Sequence, residues 1–333
     1  MSFPELRRPI VLAPMAGGPS TPELAAAVTN AGGLGFLAAG YLTADALGDR
    51  LRRARQLSSG PLAVNLFVLA DEPVDTAALA AYARELEPDV ARLGVQLGKP
   101  RYEDDRLREK LELLERQPVD VVSTTFGRPT PELVERLHAV ATAVWATVTS
   151  ADEAVVAGDA GVDALVVQGP EAGGHRGSWG DAAHTTPLLP LLREVAAEVD
   201  LPLIAAGGIA DRAGVEAVLA AGARAAQIGT AFLLCPEAGT GEPHREALRA
   251  GGETGITRAF SGRRARGIVN GFMRAHPDAP SAYPHVHHLT APLRAAARAA
   301  GDREGFNLWA GAGFEQAREQ PAAEVVARLS PAS

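Results

Sequence analysis

The segment GPEAGGHRG at 169–177 sets a single imidazole, His175, directly after Gly173 and Gly174, where the apolar run ALVVQ gives way to a loop. An imidazole titrates near neutral pH and both donates and accepts hydrogen bonds, which suits acid–base work and the positioning of anions. Two glycines before it let a ligand approach the ring, so His175 is the catalytic candidate. No obvious carboxylate base accompanies it.

Other residues with usable chemistry sit at the ends of short apolar runs: Met15, Asn65 and Gln168. PLIAAGGIAD (202–211) and AAQIGTAF (225–232) each place a glycine turn, Gly207-Gly208 and Gly229-Thr230, ahead of a helical start. Exposed backbone N–H groups in such turns suit a phosphate. AGGLG at 31–35 follows a helix and precedes a strand, the reverse of a dinucleotide loop, and is not read as one.

Four further features carry weaker signals. The run His285-Val286-His287-His288 has no acidic or cysteine partner at ligand spacing, so no metal is expected and packing in a cap is. Arg263, Arg264 and Arg266 either neutralise an anionic ligand or form a solvated, salt-bridged surface. Trp309 and the glycines after it either return to the ligand or anchor the tail. Cys235, the one cysteine, lies in the apolar FLLC run and reads as buried and unreactive.

These residues need elements to hold them. AGGLGFLAAG (31–40), AGVDALVVQG (160–169) and AGARAAQIGT (221–230) repeat one unit: an Ala-Gly helix end, then a short apolar strand. Extending the unit gives strands near 10–15, 35–38, 62–66, 119–123, 143–148, 164–168, 203–206 and 225–228. Eight strands alternating with helices predict an α/β chain folded as a (β/α)8 TIM barrel, with a doubly wound open sheet as the runner-up. In a barrel, loops at the C-terminal strand ends converge, and those after strands seven and eight habitually hold phosphate. Residues 68–105 read as an elaborated loop with a helix near 77–87. Residues 1–235 form the barrel in this reading, and 236–333 form a cap over its mouth with helical patterns at 291–300 and 321–329.

With 333 residues, 47% hydrophobic and 22% charged, the chain can bury a large core. A net charge of −8 offers no field for nucleic acid or an anionic membrane. No apolar run approaches a membrane span and no N-terminal signal pattern appears, so a cytoplasmic setting is expected.

Four blocks resemble the bacterial, flavin-dependent nitronate monooxygenases, also called 2-nitropropane dioxygenases. They are PIVLAPMAGGPSTPELAAAVTNAGGLGFL (9–37), VVQGPEAGGHRGSWGD (166–181), PLIAAGGIADRAGVEAVLAAGARAAQIGTAFLLCPEA (202–238) and FSGRRARGIVN (260–270). The resemblance implies FMN, with Gly207, Gly208, Gln227, Ile228, Gly229 and Thr230 at its phosphate and ribityl end. Met15, Asn65, Gln168 and Gly173 would line the isoalloxazine. His175 would position an alkyl nitronate, such as propionate 3-nitronate, during its oxidation with O2 to a carbonyl compound and a nitrogen oxyanion. Two alternatives stay open: an FMN-dependent NAD(P)H reductase of enoyl thioesters or quinones, and a non-catalytic barrel that binds a phosphate ligand.

Overall fold

The computed structural model describes residues 3–332. Its strands are β1 (Ile10–Leu12), β2 (Gly35–Ala38), β3 (Leu62–Phe67), β4 (Val121–Thr125), β5 (Ala143–Val148), β6 (Ala164–Gln168), β7 (Gly174–His175), β8 (Leu203–Ala206), β9 (Ala225–Ile228), β10 (Thr254–Thr257) and β11 (Ala265–Ile268). Eight of them form one parallel sheet in the order β1-β9-β8-β6-β5-β4-β3-β2. The first and last of these meet: Val11 bridges Leu34, and the Leu12 N–H donates to the Leu34 carbonyl at 2.9 Å. The sheet therefore closes into the expected (β/α)8 barrel, and the open-sheet alternative falls.

The Ala-Gly repeat works as a helix stop. Ala31, Ala160 and Ala221 cap their helices, and the glycines that follow take left-handed φ values of 98°, 85° and 101°. At the other ends, Thr21, Thr43, Thr130, Ser150 and Asp211 accept hydrogen bonds from the first helical turns.

Strand alternation decides which residues face inward. Phe36, Ala63, Val121, Trp145, Ala164, Val166, Ile204 and Ala225 form the barrel interior, while Val64, Val122, Leu165 and Val167 join the larger core beneath the helices. Phe3 stacks on Trp145 with centroids 5.3 Å apart and seals the floor. Continuing the same period of two toward the strand ends turns Asn65, Ser123, Thr147, Gln168 and Gln227 inward at the mouth.

Four elements differ from expectation. The first strand stops at Leu12 instead of position 15, because Pro14 has no N–H to give and the Met15 N–H donates to Ser20 Oγ at 2.8 Å. The fourth runs 121–125, not 119–123, because Asp120 caps the neighbouring strand through the Leu62 N–H at 2.8 Å. The helix expected near 77–87 is two, Thr76–Glu85 and Glu87–Leu93, and the one expected at 291–300 begins earlier, as His285–Ala299.

Over the mouth lies a small antiparallel sheet, β10-β11-β7, in which Ala265 pairs with His175. Beside it, His285–Ala299, Gly271–Ala275 and the two helices of 76–93 share an apolar core around Phe260, Phe272, Val286, Leu289 and Leu293. The last helix, Ala322–Leu329, packs instead on the barrel flank, burying Val325, Val326 and Leu329 with the main core.

Candidate active site

The strand ends and the covering segment enclose a cavity of about 450 Å³. Met15, Asn65, Gln168, Gly173, His175, Gly207, Gly208, Gln227, Ile228, Gly229 and Thr230 all line it. Two arginines, Arg294 and Arg298, also line it, whereas no aspartate or glutamate among the described residues does.

His175 lies on β7, not in an irregular loop, and its ring is anchored by a 2.8 Å hydrogen bond between Nε2 and Ser261 Oγ. Trp309, Tyr283 and Phe126 surround it with ring centroids at 5.3, 5.7 and 5.8 Å. Burial first, then the charges of Arg263 and Arg294, push its pKa down to about 3. His175 is thus a neutral imidazole at ordinary pH.

Gln168 holds this histidine in place. Its Nε2 donates to the His175 carbonyl at 3.2 Å and its Oε1 accepts from the Gly177 N–H at 2.8 Å, leaving one amide hydrogen for the cavity. Asn65 is fixed by its Nδ2 group, which lies 2.9 Å from Ser123 Oγ and 2.8 Å from Thr125 Oγ1. Gln227 differs, since its Oε1 is buried without a hydrogen-bond partner. At the glycine turns, the N–H groups of Gly208, Gly229 and Thr230 have no acceptor among the described residues. Thr230 Oγ1 accepts from the Gly311 N–H at 3.0 Å, which leaves its O–H free to donate. Gly173 has a packing reason as well: a Cβ there would meet the Gly311 nitrogen at 2.5 Å.

None of the arginine run is placed to meet a ligand in the cavity, and only Arg264 fits the salt-bridged reading. Arg263 is buried, and its guanidinium donates to the carbonyls of Arg176 (3.1 Å), Ser178 and Gly180. Arg266 donates to the Pro170 carbonyl at 2.8 Å, and Arg264 faces Asp181 at 3.8 Å. All three clamp the histidine-bearing segment to β11, and none lines the cavity. Trp309 does return to the mouth. Cys235 is buried, and burial pushes its thiol up to about 12, so it is inert at ordinary pH.

Sequence reasoning missed Tyr41, Phe126, His244, Ser261, Tyr283, His287, Arg294 and Arg298. A signal existed for three of them: positions 287, 294 and 298 fall on one helix face by spacing, and His287 therefore enters the cavity instead of simply packing in the cap. Tyr41 and Phe126 hold left-handed backbone, with φ of 67° and 80°, which no local pattern announces.

Three cavity histidines are held neutral, mainly by burial: His175 at about 3, His244 at about 4 and His287 at about 2, against an ordinary 6.5. Their folded values lie below the unfolded one, so the unfolded chain binds more protons between them. Stability is accordingly full above pH 6.5 and falls as pH drops below it. Thermal melts of ligand-free protein from pH 8 to 4 check this: the melting temperature declines from about pH 6.5 downward, and a flat profile contradicts it.

A closed parallel barrel whose strand ends converge on one covered, cation-lined cavity defines the chain as a (β/α)8-barrel enzyme. A family model described as nitronate monooxygenase matches residues 5–331. The nitronate monooxygenase of Pseudomonas aeruginosa is 42% identical, covering 97% of this chain and 95% of that one. That of Paraburkholderia phytofirmans is 40% identical, covering 97% and 91%. Among solved structures, a nitroalkane oxidase from Streptomyces ansochromogenes superposes with a TM-score of 0.95 at 48% identity, covering 98% and 95%. FabK from Thermotoga maritima gives 0.78 at 26% identity, covering 98% and 92%. The chain belongs to the nitronate monooxygenase family, a family of flavin-dependent oxidoreductases.

Proposed function

We propose that the cavity holds FMN and that the protein oxidises alkyl nitronates with O2 to carbonyl compounds and nitrogen oxyanions. The observation that carries this reading is the charge of the lining: two arginines, three neutral histidines and no acid. That environment favours a phosphate-bearing cofactor and an anionic substrate together. The N–H groups of Gly208, Gly229 and Thr230, the Thr230 hydroxyl and the unpartnered Gln227 Oε1 fit the phosphate and ribityl chain. Met15, Asn65, Gln168 and Gly173 fit the flat ring. When bound, FMN supplies a redox centre that accepts electrons from the nitronate and returns them to oxygen.

The protein's own part is recognition and positioning. His175, neutral and steadied by Ser261, offers the nitronate a hydrogen bond without adding an acid that would return it to the nitroalkane. Gln168 and Arg263 fix the segment that carries it.

A second reading is favoured by the name of the Streptomyces relative, a nitroalkane oxidase. Neutral nitroalkanes require a base for the carbon-bound proton, and His175 would have to be that base. An imidazole pushed down to about 3 is a weak one, and no carboxylate lines the cavity. Nitronates are therefore expected to consume oxygen at least about tenfold faster than the corresponding freshly dissolved nitroalkanes. Oxygen-electrode assays check this, and equal rates overturn the nitronate assignment in favour of the second reading.

A further inference from the structure

His287 belongs to the histidine run at the start of His285–Ala299, yet it behaves unlike its neighbours. His288 points to Glu103, with Nε2 3.6 Å from its carboxylate, while His287 lines the cavity. Two contacts fix its ring. Tyr41 stacks on it, with centroids 4.6 Å apart and planes 2° from parallel. Arg294 Nη2 approaches His287 Nδ1 at 3.3 Å and also donates to the His287 carbonyl at 2.7 Å.

The second contact decides the tautomer. A guanidinium nitrogen only donates, so Nδ1 must accept, and the proton of the neutral ring resides on Nε2. No acceptor for Nε2 exists among the described residues. Arg294 is itself tied to Thr290 Oγ1 at 3.0 Å, so the lock has a firm base on the same helix. Tyr41 is firm too: its N–H donates to Asp105 Oδ1 at 2.9 Å, and Asp105 pairs with the buried Lys110 at 2.5 Å. Tyr283 stands between the two imidazoles, 5.7 Å from His175 and 6.2 Å from His287.

From this arrangement we infer that His287 is a second substrate-binding residue, donating its Nε2 proton as a hydrogen bond to an oxygen of a planar oxyanion. The inference rests on the nitronate reading, in which that oxygen belongs to the nitronate group. A nitronate spreads its charge over two oxygens, and a neutral donor meets one of them without delivering a proton to carbon. Arg294 keeps His287 in that donor form by occupying Nδ1 and by its own positive charge.

The test uses flavin-loaded protein. Long-range nitrogen–proton NMR of the wild type reads the tautomer directly, with Nδ1 unprotonated expected and Nδ1 protonated overturning the lock. His287→Phe keeps a ring against Tyr41 and removes the donor; His287→Gln restores an N–H. The phenylalanine variant should raise KM for ethyl nitronate and Kd for nitrate by about tenfold or more, with a smaller change in kcat, and glutamine should recover part of the loss. Wild-type KM and nitrate affinity in His287→Phe overturn the inference. A wild type that oxidises no nitronate overturns the functional reading instead, and the nitrate titration then decides His287 alone: weakened binding supports its role, unchanged binding ends it.

Discussion

His175→Asn is expected to slow anaerobic reduction of the flavin by nitronate at least about a hundredfold, in protein with matched flavin content. Asparagine is smaller than imidazole, so it vacates the space between Trp309, Tyr283 and Phe126 and cannot keep the ring's 2.8 Å bond to Ser261. Its amide still donates hydrogen bonds, but from a position short of the one the imidazole occupies. Flavin retention is expected because the glycine turns on β8 and β9, not His175, are proposed to hold the phosphate. The backbone pairing of His175 with Ala265 does not depend on the side chain, so the fold should persist. Stopped-flow reduction in an anaerobic cell is the measurement. A variant that is reduced at the wild-type rate and turns over normally with oxygen removes His175 from the chemistry.

Gly208→Asp should yield folded protein almost free of flavin. Gly208 sits at φ 70°, and a Cβ there would lie 2.9 Å from Glu171 Cβ, so any side chain strains the turn. Aspartate adds a negative charge where the phosphate is proposed to lie. Gly208→Ala separates the two effects, because it carries the backbone and contact strain without the charge. Alanine should retain a substantial share of the flavin, and aspartate should lose at least about nine-tenths of it, a charge repulsion of a kcal/mol or more. The ratio of visible to ultraviolet absorbance in native protein reports both. Full occupancy in soluble Gly208→Asp moves the phosphate elsewhere.

The barrel was legible because its signals are local. Each Ala-Gly helix stop and each short apolar strand obeys short-range rules, and alternation along a strand places Asn65, Gln168 and Gln227 inward without knowledge of the rest. The covering segment was less legible because its contacts are long-range. β7 exists only through pairing with β11, some 90 residues away, which no pattern in GGH announces. Arg263 and Arg266 show the same limit: their partners are backbone carbonyls of a distant segment, and a charge run in a sequence carries no record of them. Arg294 and Arg298 were within reach, since they stand four apart on the helix expected at 291–300, while His287 lies before its expected start.

The stacked Phe3 and Trp145 give the barrel a shut floor, and the packed interior above them closes any path to the cavity through the barrel. Tyr41, on the barrel rim, is joined to the covering segment by its 3.3 Å hydroxyl contact with Tyr283 and its stack on His287, so that rim works as a clasp between barrel and cover.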